Sequence, residues 1–319
     1  MAQTITVSYS ELDAFRQCGL KHALNYLQLW SRPPGEGTPL SRGSAWHEIL
    51  QTHYLTIRRH RTGQDKQGNP KWIEHPNTAL RTRMLTECVE TVTRLHLVDQ
   101  HTGEQTEQQE LLAWMYQGYL DQYGIDEPWQ ILGVERAGSV WLLTERGGRS
   151  RFRLKYKIDL VIRDLQTNQL KVVDHKSAAN FSRPAEIDID DQFGLYNWAY
   201  WREHGQRPIA VIRSDARTQR NKGPMKLEDR FRRVQTFRSD AELENIALDA
   251  YRTAKAAYSP SRDVYSSPAP DRCTWRCDYL EAHLAARKGI APMDTVLADF
   301  GFERRAVKHQ EYTKDEGQD

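Results

Sequence analysis

Residues 153–177 read RLKYKIDLVIRDLQTNQLKVVDHKS, and this stretch predicts a β-hairpin. The first arm, Arg153 to Arg163, is dense in Ile, Leu and Val, and the second runs from Leu170 to Lys176. Between them Asp164-Leu-Gln-Thr-Asn168-Gln169 is polar and rich in turn formers. A turn that sets residue 164 opposite 169 also sets Asp159 opposite Asp174, with both side chains on one face. Lys176 lies two residues on and shares that face. Two carboxylates this close repel unless a cation sits between them. A divalent metal with oxygen ligands would satisfy both, and the lysine beside it could orient or polarise a water. The competing reading is an ordinary Asp–Lys salt bridge. Ile158, Leu160, Val161, Ile162, Val172 and Val173 suggest a hairpin covered on both faces, where charges are costly unless paired or metal-bound.

The rest of the chain bounds this reading. Its 319 residues suffice for one large domain or two small ones. Hydrophobic residues make up 39%, and nine tryptophans can help fill a core. Net charge is only +2, so bulk charge does not announce a polyanion partner. Its distribution does: residues 207–238 hold ten Arg or Lys against three acids, a local net of +7. Residues 311–319 hold four acids and one lysine and read as a disordered tail. No signal peptide opens the chain and no apolar run approaches a membrane span, so a cytoplasmic protein with no membrane partner is expected. Four cysteines, at 18, 88, 273 and 277, suit metal or core roles better than disulfides in a reducing compartment.

Periodicity and punctuation predict a helix capped by Ser10 and running to about Leu29, then a loop at 32–37. A second helix is expected from about Ser41 through His47 to Arg59, a polar loop at 61–78, and amphipathic helices near 79–98 and 106–123. Strands are expected at 130–135 and 139–145, followed by the hairpin, a helix from Ile189 to Glu203, and strands at 208–214 and 229–237. Ser239-Asp-Ala-Glu242 resembles a capping box for a helix to Tyr258, and a Pro- and Ser-rich link, 259–270, leads to the last cysteines. The order predicts an α/β fold with a central mixed β-sheet flanked by helices. The expected organisation is a single domain over 1–310. Within it, 60–125 is a helical insertion, 130–238 the sheet core, and 270–290 a Cys/His segment that closes on the N-terminal helix.

Two further pairs have helical spacing. Gly43 and His47 share a face, where glycine would allow close approach to another backbone and the imidazole could enter a metal site. A histidine hydrogen-bonded in the core is the alternative. Gln192 and Tyr196 likewise share a face and could reach a phosphate or Lys176. An aromatic face packed on the sheet is the alternative there. Glu135 reads as an ordinary strand-end charge more readily than as an extra acidic ligand.

With these residues in hand, the chain resembles the PD-(D/E)XK nuclease superfamily, and within it the RecB-like exonucleases, a branch that includes CRISPR-associated and phage enzymes with an iron–sulfur cluster. SYSELDAFRQCGLKHALNY (8–26) is similar to the family's N-terminal helix with its early cysteine, here Cys18. Gly43-Ser-Ala-Trp-His47 resembles the G-x-x-x-H motif, Asp159 the second acidic motif, Asp174-His175-Lys176 the (D/E)-x-K motif, and Gln192-Phe-Gly-Leu-Tyr196 the Q-x-x-x-Y motif. The resemblance implies a restriction-endonuclease-like core and hydrolysis of DNA phosphodiester bonds. It implies that His47, Asp159, Asp174 and the carbonyl of His175 hold Mg²⁺ or Mn²⁺. Lys176 would position the attacking water, and Gln192 and Tyr196 would orient Lys176 or the substrate. Cys273-Thr-Trp-Arg-Cys277 with His283 resembles the C-terminal cluster segment, His283 standing where a cysteine is expected. With Cys18 these four would suit a 4Fe-4S cluster, zinc being the lesser alternative, and would join positions 255 residues apart.

A basic, flexible stretch can track a nucleic-acid backbone without reading its sequence, so Arg213, Arg217, Arg220, Lys222 and Lys226 are candidate DNA contacts. The expectation is a metal-dependent exonuclease acting on single-stranded DNA or DNA ends in recombination, repair or phage DNA processing, with a possible helicase partner. An endonuclease on the same fold and a non-catalytic DNA-binding or assembly subunit are the alternatives.

Overall fold

The structure, a computed structural model, describes residues 3–32, 38–99, 102–220, 223 and 225–309. Lys222, the 33–37 part of the first predicted loop and the predicted tail at 311–319 lie outside these residues. Chain contacts group into two units. One comprises Met1–Pro34, Ala137–Tyr156 and Ala241–Asp319; the other comprises Gly35–Arg136 and Lys157–Asp240.

The chain opens with β1 (Ile5–Ser8) and α1 (Tyr9–Gln17). The cap is Ser8 rather than Ser10: the Ser8 hydroxyl accepts from the Glu11 amide at 3.3 Å. The long helix expected to Leu29 is interrupted at Cys18, whose backbone is extended (φ −164°, ψ 122°). Helix α2 (Gly19–His22) and a wide π turn, Ala23–Leu27, follow, then β2 (Trp30–Ser31). Helix α3 (Pro39–Arg61) is capped by Thr38, which accepts from the Ser41 amide at 3.2 Å.

The segment predicted as a polar loop at 61–78 instead contains the antiparallel pair β3 (Thr62–Gln64) and β4 (Pro70–Trp72). Arg61 explains this order. Its guanidinium is buried, stacks 4.6 Å over Trp72 and donates to the carbonyls of Ile73, Glu74, Glu127 and Trp129. A cation that satisfies four carbonyls fixes a segment that has little apolar surface to bury. Helices α4 (Thr78–Val92) and α5 (Glu107–Tyr123) follow as expected, capped by Asn77 and by a Thr106/Gln109 capping box.

The two strands expected at 130–145 are one strand, β5 (Trp129–Leu143), kinked at Glu135. Strands β6 (Arg149–Asp164) and β7 (Gln169–Ala178) form the predicted hairpin. Helix α6 (Pro184–Asp188) precedes α7 (Asp191–His204), which starts at the Asp190 cap rather than at Ile189. Strand β8 (Ala210–Arg217), α8 (Leu227–Arg230) and β9 (Phe231–Thr236) complete the sheet region. The chain ends with α9 (Asp240–Ala257), α10 (Pro270–Arg276), α11 (Leu280–Arg287), α12 (Met293–Asp299) and β10 (Glu303–Arg304).

The sheet is mixed, as expected. Its order is β1-β6-β7-β8-β9, with β5 also paired to β6. The β1/β6 and β7/β8 pairs are parallel, and the β6/β7 and β8/β9 pairs are antiparallel. Parallel pairing of β7 with β8 requires a crossover, which α6 and α7 supply. In the unit holding residues 35–136 and 157–240, α3, α4 and α5 share one core with the strands. Trp46, Ile49, Tyr54 and Ile57 of α3 pack with Met84, Cys88, Leu112 and Met115 against Leu160, Ile162, Val173 and Ile212. Each such side chain contributes about 1.5–3 kcal/mol of transfer free energy, so this core holds α3 firmly on the sheet. Cys88 is fully buried and is a core residue.

The other unit has its own core of Leu24, Trp30, Tyr279, Ala282, Val296, Leu297 and Phe302. Residues from both the early and the late parts of the sequence meet at Glu11, a fully buried carboxylate. Lys308 Nζ lies 2.8 Å from it, His309 Nε2 3.0 Å and His22 Nε2 3.2 Å, and the Tyr258 hydroxyl donates to it as well. Burial alone would raise its pKa, but these partners outweigh burial and hold it at about 2.

Candidate active site

The hairpin register is the predicted one. Asp164 pairs with Gln169, and the ladder continues to Leu160 opposite Val173, one rung short of Asp159 and Asp174. At that next position the Asp159 carboxylate accepts from the His175 main-chain N–H at 2.7 Å. A carboxylate thus takes the place of a ladder acceptor, which anchors Asp159 to the (D/E)-x-K segment.

His47, in the third turn of α3, reaches Asp159 with Nδ1 3.3 Å from Oδ2. Gly43, one turn earlier, is not required by a close approach: a Cβ there would lie 3.9 Å from Ser177 Oγ, an ordinary contact. Glu135 completes the group. Ligand atoms of His47, Glu135 and Asp159 lie within 4.8 Å of one another, and no other set of three His, Cys, Asp or Glu among the described residues does so. Glu135, read from the sequence as an ordinary strand-end charge, thus stands among the candidate ligands. Its backbone sits at φ 50°, a region that residues other than glycine seldom adopt. The inward series along β5 is odd-numbered up to Glu135 and even-numbered from Val140. This change of phase is the mark of a bulge, and bulges re-aim side chains. The sequence carried one signal: Trp129, Ile131, Gly133 and Glu135 alternate onto the buried side.

Electrostatics bind these groups together. Burial opposes charge on His47, but the Asp159 carboxylate wins and raises its pKa to about 9. Asp159 is held well below the ordinary carboxylate range: burial would raise it, but His47, His175 and Lys176 prevail. Burial lifts Glu135 to about 7, with the Asp159 charge adding to the effect and Lys157, 2.6 Å away, offsetting it. Burial likewise lifts Asp174 to about 6 even against the ammonium of Lys176, with Asp159 adding to the rise. Lys176 Nζ lies 2.9 Å from both oxygens of Asp174. Burial opposes its charge, but Asp174 and Asp159 raise its pKa. Lys176 is thus a cation at neutral pH and can donate a hydrogen bond but not take up a proton.

His175 serves through its main chain. Its ring is buried, held neutral by burial at a pKa of about 3, and stacked on Tyr54 at 5.6 Å. The Tyr54 hydroxyl donates to Asp126 at 2.6 Å, and Arg233 makes a two-pronged ion pair with the same carboxylate at 2.5 and 2.8 Å. Tyr119 joins the network at 2.5 Å from Tyr54. Gln192 lies half-buried in the first turn of α7 and Tyr196 is buried one turn on. The Asp190 cap of that helix adds negative charge near Lys176.

Two acids and an imidazole on facing elements, with a third acid held by a lysine, fit a small divalent cation. Oxygen ligands suit Mg²⁺ or Mn²⁺, and the imidazole favours the latter. Carboxyl groups pushed toward neutrality by burial, with the Asp159 charge adding to it, are what such an ion would relieve.

The candidate DNA contacts are scattered in role. Arg213 is buried and committed to Asp215 at 2.7 Å and Ser182 at 3.0 Å, which leaves it unsuited to a phosphate. Arg217 stacks over Phe181, and Arg220 over Trp114 while donating to the Glu110 carbonyl. Lys226 is exposed, 3.5 Å from Glu228.

In the other unit, Cys18, Cys273, Cys277 and His283 all line one cavity. The extended break at Cys18 turns that residue out of the helix, and the Ser267 N–H donates to its sulfur at 3.4 Å. The Ala269 N–H does the same for Cys273 at 3.4 Å. Burial raises the Cys277 thiol, with a main-chain hydrogen bond from Tyr279 opposing it.

A model of the PD-(D/E)XK nuclease superfamily matches residues 6–282. Among solved structures, the chain is similar to a protein of Eubacterium rectale named as a candidate exonuclease, at 12% identity over 84% of this chain and 92% of that one, with a TM-score of 0.39. It is similar also to SSO0001, at 12% identity over 76% and 95%, with a TM-score of 0.30. No curated protein matches. The family match spans the hairpin with Asp159, Asp174 and Lys176, the helix with His47 and the helix with Gln192 and Tyr196, and the chain belongs to the PD-(D/E)XK nuclease superfamily.

Proposed function

We propose that the protein is a divalent-metal-dependent DNA exonuclease that acts on single strands or ends. The observation that carries this reading is the convergence of His47, Glu135 and Asp159 within 4.8 Å, beside an Asp174–Lys176 pair at 2.9 Å. These three residues, with Asp174 and the His175 carbonyl, would hold Mg²⁺ or Mn²⁺. When bound, the ion supplies a low-pKa water and charge stabilisation at the phosphate. Lys176 donates a hydrogen bond to the attacking water or to a non-bridging phosphate oxygen, and its raised pKa keeps it charged for that task. Gln192 and Tyr196 orient Lys176 or the substrate.

In this reading residues 1–310 act as one cytoplasmic nuclease in recombination, repair or phage DNA processing, with a helicase as partner. Among the described residues no helix is long and apolar enough to cross a membrane. Cys18, Cys273, Cys277 and His283 would hold a 4Fe-4S cluster. Tetrahedral zinc with bonds of about 2.3 Å needs its ligand atoms about 3.8 Å apart. No three of these four meet even the 4.8 Å limit, so the wider cluster suits them better. Main-chain N–H groups aimed at two sulfurs match the hydrogen bonding that thiolate ligands accept.

The test compares wild type with Lys176→Ala on end-labelled single-stranded DNA and on circular duplex, with Mn²⁺ and with EDTA. We expect Mn²⁺-dependent shortening from ends, reduced about 10²–10³-fold in the variant. Equal degradation by both proteins would reject the assignment of Lys176. Cutting of the closed circle would identify an endonuclease, and no cleavage with any metal would favour a non-catalytic binding subunit.

A further inference from the structure

The β5–β6 hairpin carries cations at every second residue of its outgoing strand: Arg149, Arg151, Arg153 and Lys155. Phe152 and Leu154 between them are buried, so strand alternation turns the four cations to the other face. The three arginines are exposed and Lys155 is half-buried. Among the described residues no carboxylate pairs with any of the four. Glu145, in the connecting turn, faces Arg252 instead, at 4.0 Å. Trp141 of β5, between buried Val140 and Leu142, shares the cationic face. Arg149 lies 3.5 Å from its ring centre and Arg153 5.8 Å. Arg151 donates to the Tyr258 carbonyl at 3.0 Å. Like charges in a row repel one another, and a polyanion would supply the missing counter-charge.

We propose that this face is a track for the phosphodiester backbone of single-stranded DNA. Alternate residues of a strand repeat at about 6.7 Å, comparable to one step of a stretched nucleotide chain. A straight row one residue wide suits a single extended strand better than the curved surface of a duplex. Trp141 holds two guanidinium groups in place before binding, so less freedom is lost when they meet phosphates. That the polyanion is DNA rests on the nuclease reading; the row of cations does not.

Binding of the full chain to fluorescent oligo-dT is measured by anisotropy in EDTA across a salt series. We expect the variant R149S/R151S/R153S to bind about tenfold or more weakly. Its salt slope should shrink by about 2, since each single-strand phosphate contact contributes about 0.7. R149K/R151K/R153K should keep most of the slope, and Trp141→Ala should weaken binding. Circular dichroism and melting establish that each variant is folded. A folded serine variant that keeps both affinity and slope overturns the proposal. So does tighter binding of a duplex of equal length, or of anionic vesicles, than of oligo-dT. A wild type that cleaves no DNA with any metal, while the serine variant loses binding, removes the catalytic reading and leaves the track. A wild type that cleaves DNA and binds it with the slope of the serine variant does the reverse.

Discussion

Glu135 shows how one backbone angle changes the chemistry. Its φ of 50° brings a third acidic or imidazole group to His47 and Asp159. Without an ion the arrangement is strained electrostatically, because burial and the Asp159 charge lift Glu135 to about 7. The sign follows. A carboxyl whose folded pKa exceeds its unfolded value contributes stability that is complete below the unfolded value and is lost as pH rises through the folded one. Glu135→Gln keeps the shape and removes the titration. In EDTA the variant should melt like wild type at pH 4 and above it at pH 8, by on the order of 1–3 kcal/mol. Calorimetric titration with Mn²⁺ at pH 8 should show that it binds the ion more weakly. Thermal melts with no pH-dependent difference would show that Glu135 does not share the charge of this site.

Helix α3 is the element on which the site depends. One helix supplies His47 to the acids and, two turns on, Tyr54 to the ring of His175. Tyr54 is in turn fixed by Asp126 and by Arg233 of β9. The Asp126–Arg233 pair is buried, so its attraction must offset a large desolvation cost, and removing one partner strands the other. Arg233→Met should therefore destabilise the protein by about 3–5 kcal/mol, measured by urea unfolding. The double variant Asp126→Leu with Arg233→Met should recover much of that loss, because no charge is then left buried. A single-variant loss below about 1 kcal/mol, the range of exposed pairs, would mean that water reaches this network.

At the scale of the whole chain, Glu11 pairs with Lys308 and His309 across most of the sequence, and in the same unit Cys18, Cys273, Cys277 and His283 line one cavity. A cluster held there would close a loop of 255 residues and remove denatured-state entropy worth about 5–6 kcal/mol. Anaerobically purified wild type should be coloured and contain iron. Cys18→Ser should lose both and melt at lower temperature, whereas colourless, iron-free wild type would remove the cluster. Much of this was legible beforehand. The hairpin register, the mixed sheet and the family motifs follow from local pattern, because turn chemistry and period-2 burial act between near neighbours. The cavity shared by four distant Cys and His residues was legible from the resemblance alone. Other features depend on contacts between residues far apart in sequence. Glu135 joins the site only through a bulge, Arg213 is spent on Asp215, and the polar 61–78 segment is ordered by Arg61 and the carbonyls it collects. The sequence by itself determined the faces on which His47, Asp159, Asp174 and Lys176 stand, since residue spacing sets strand and helix faces. Only the tertiary structure decided which of them converge, because charge burial is settled by the partners that packing brings within reach and not by neighbours along the chain.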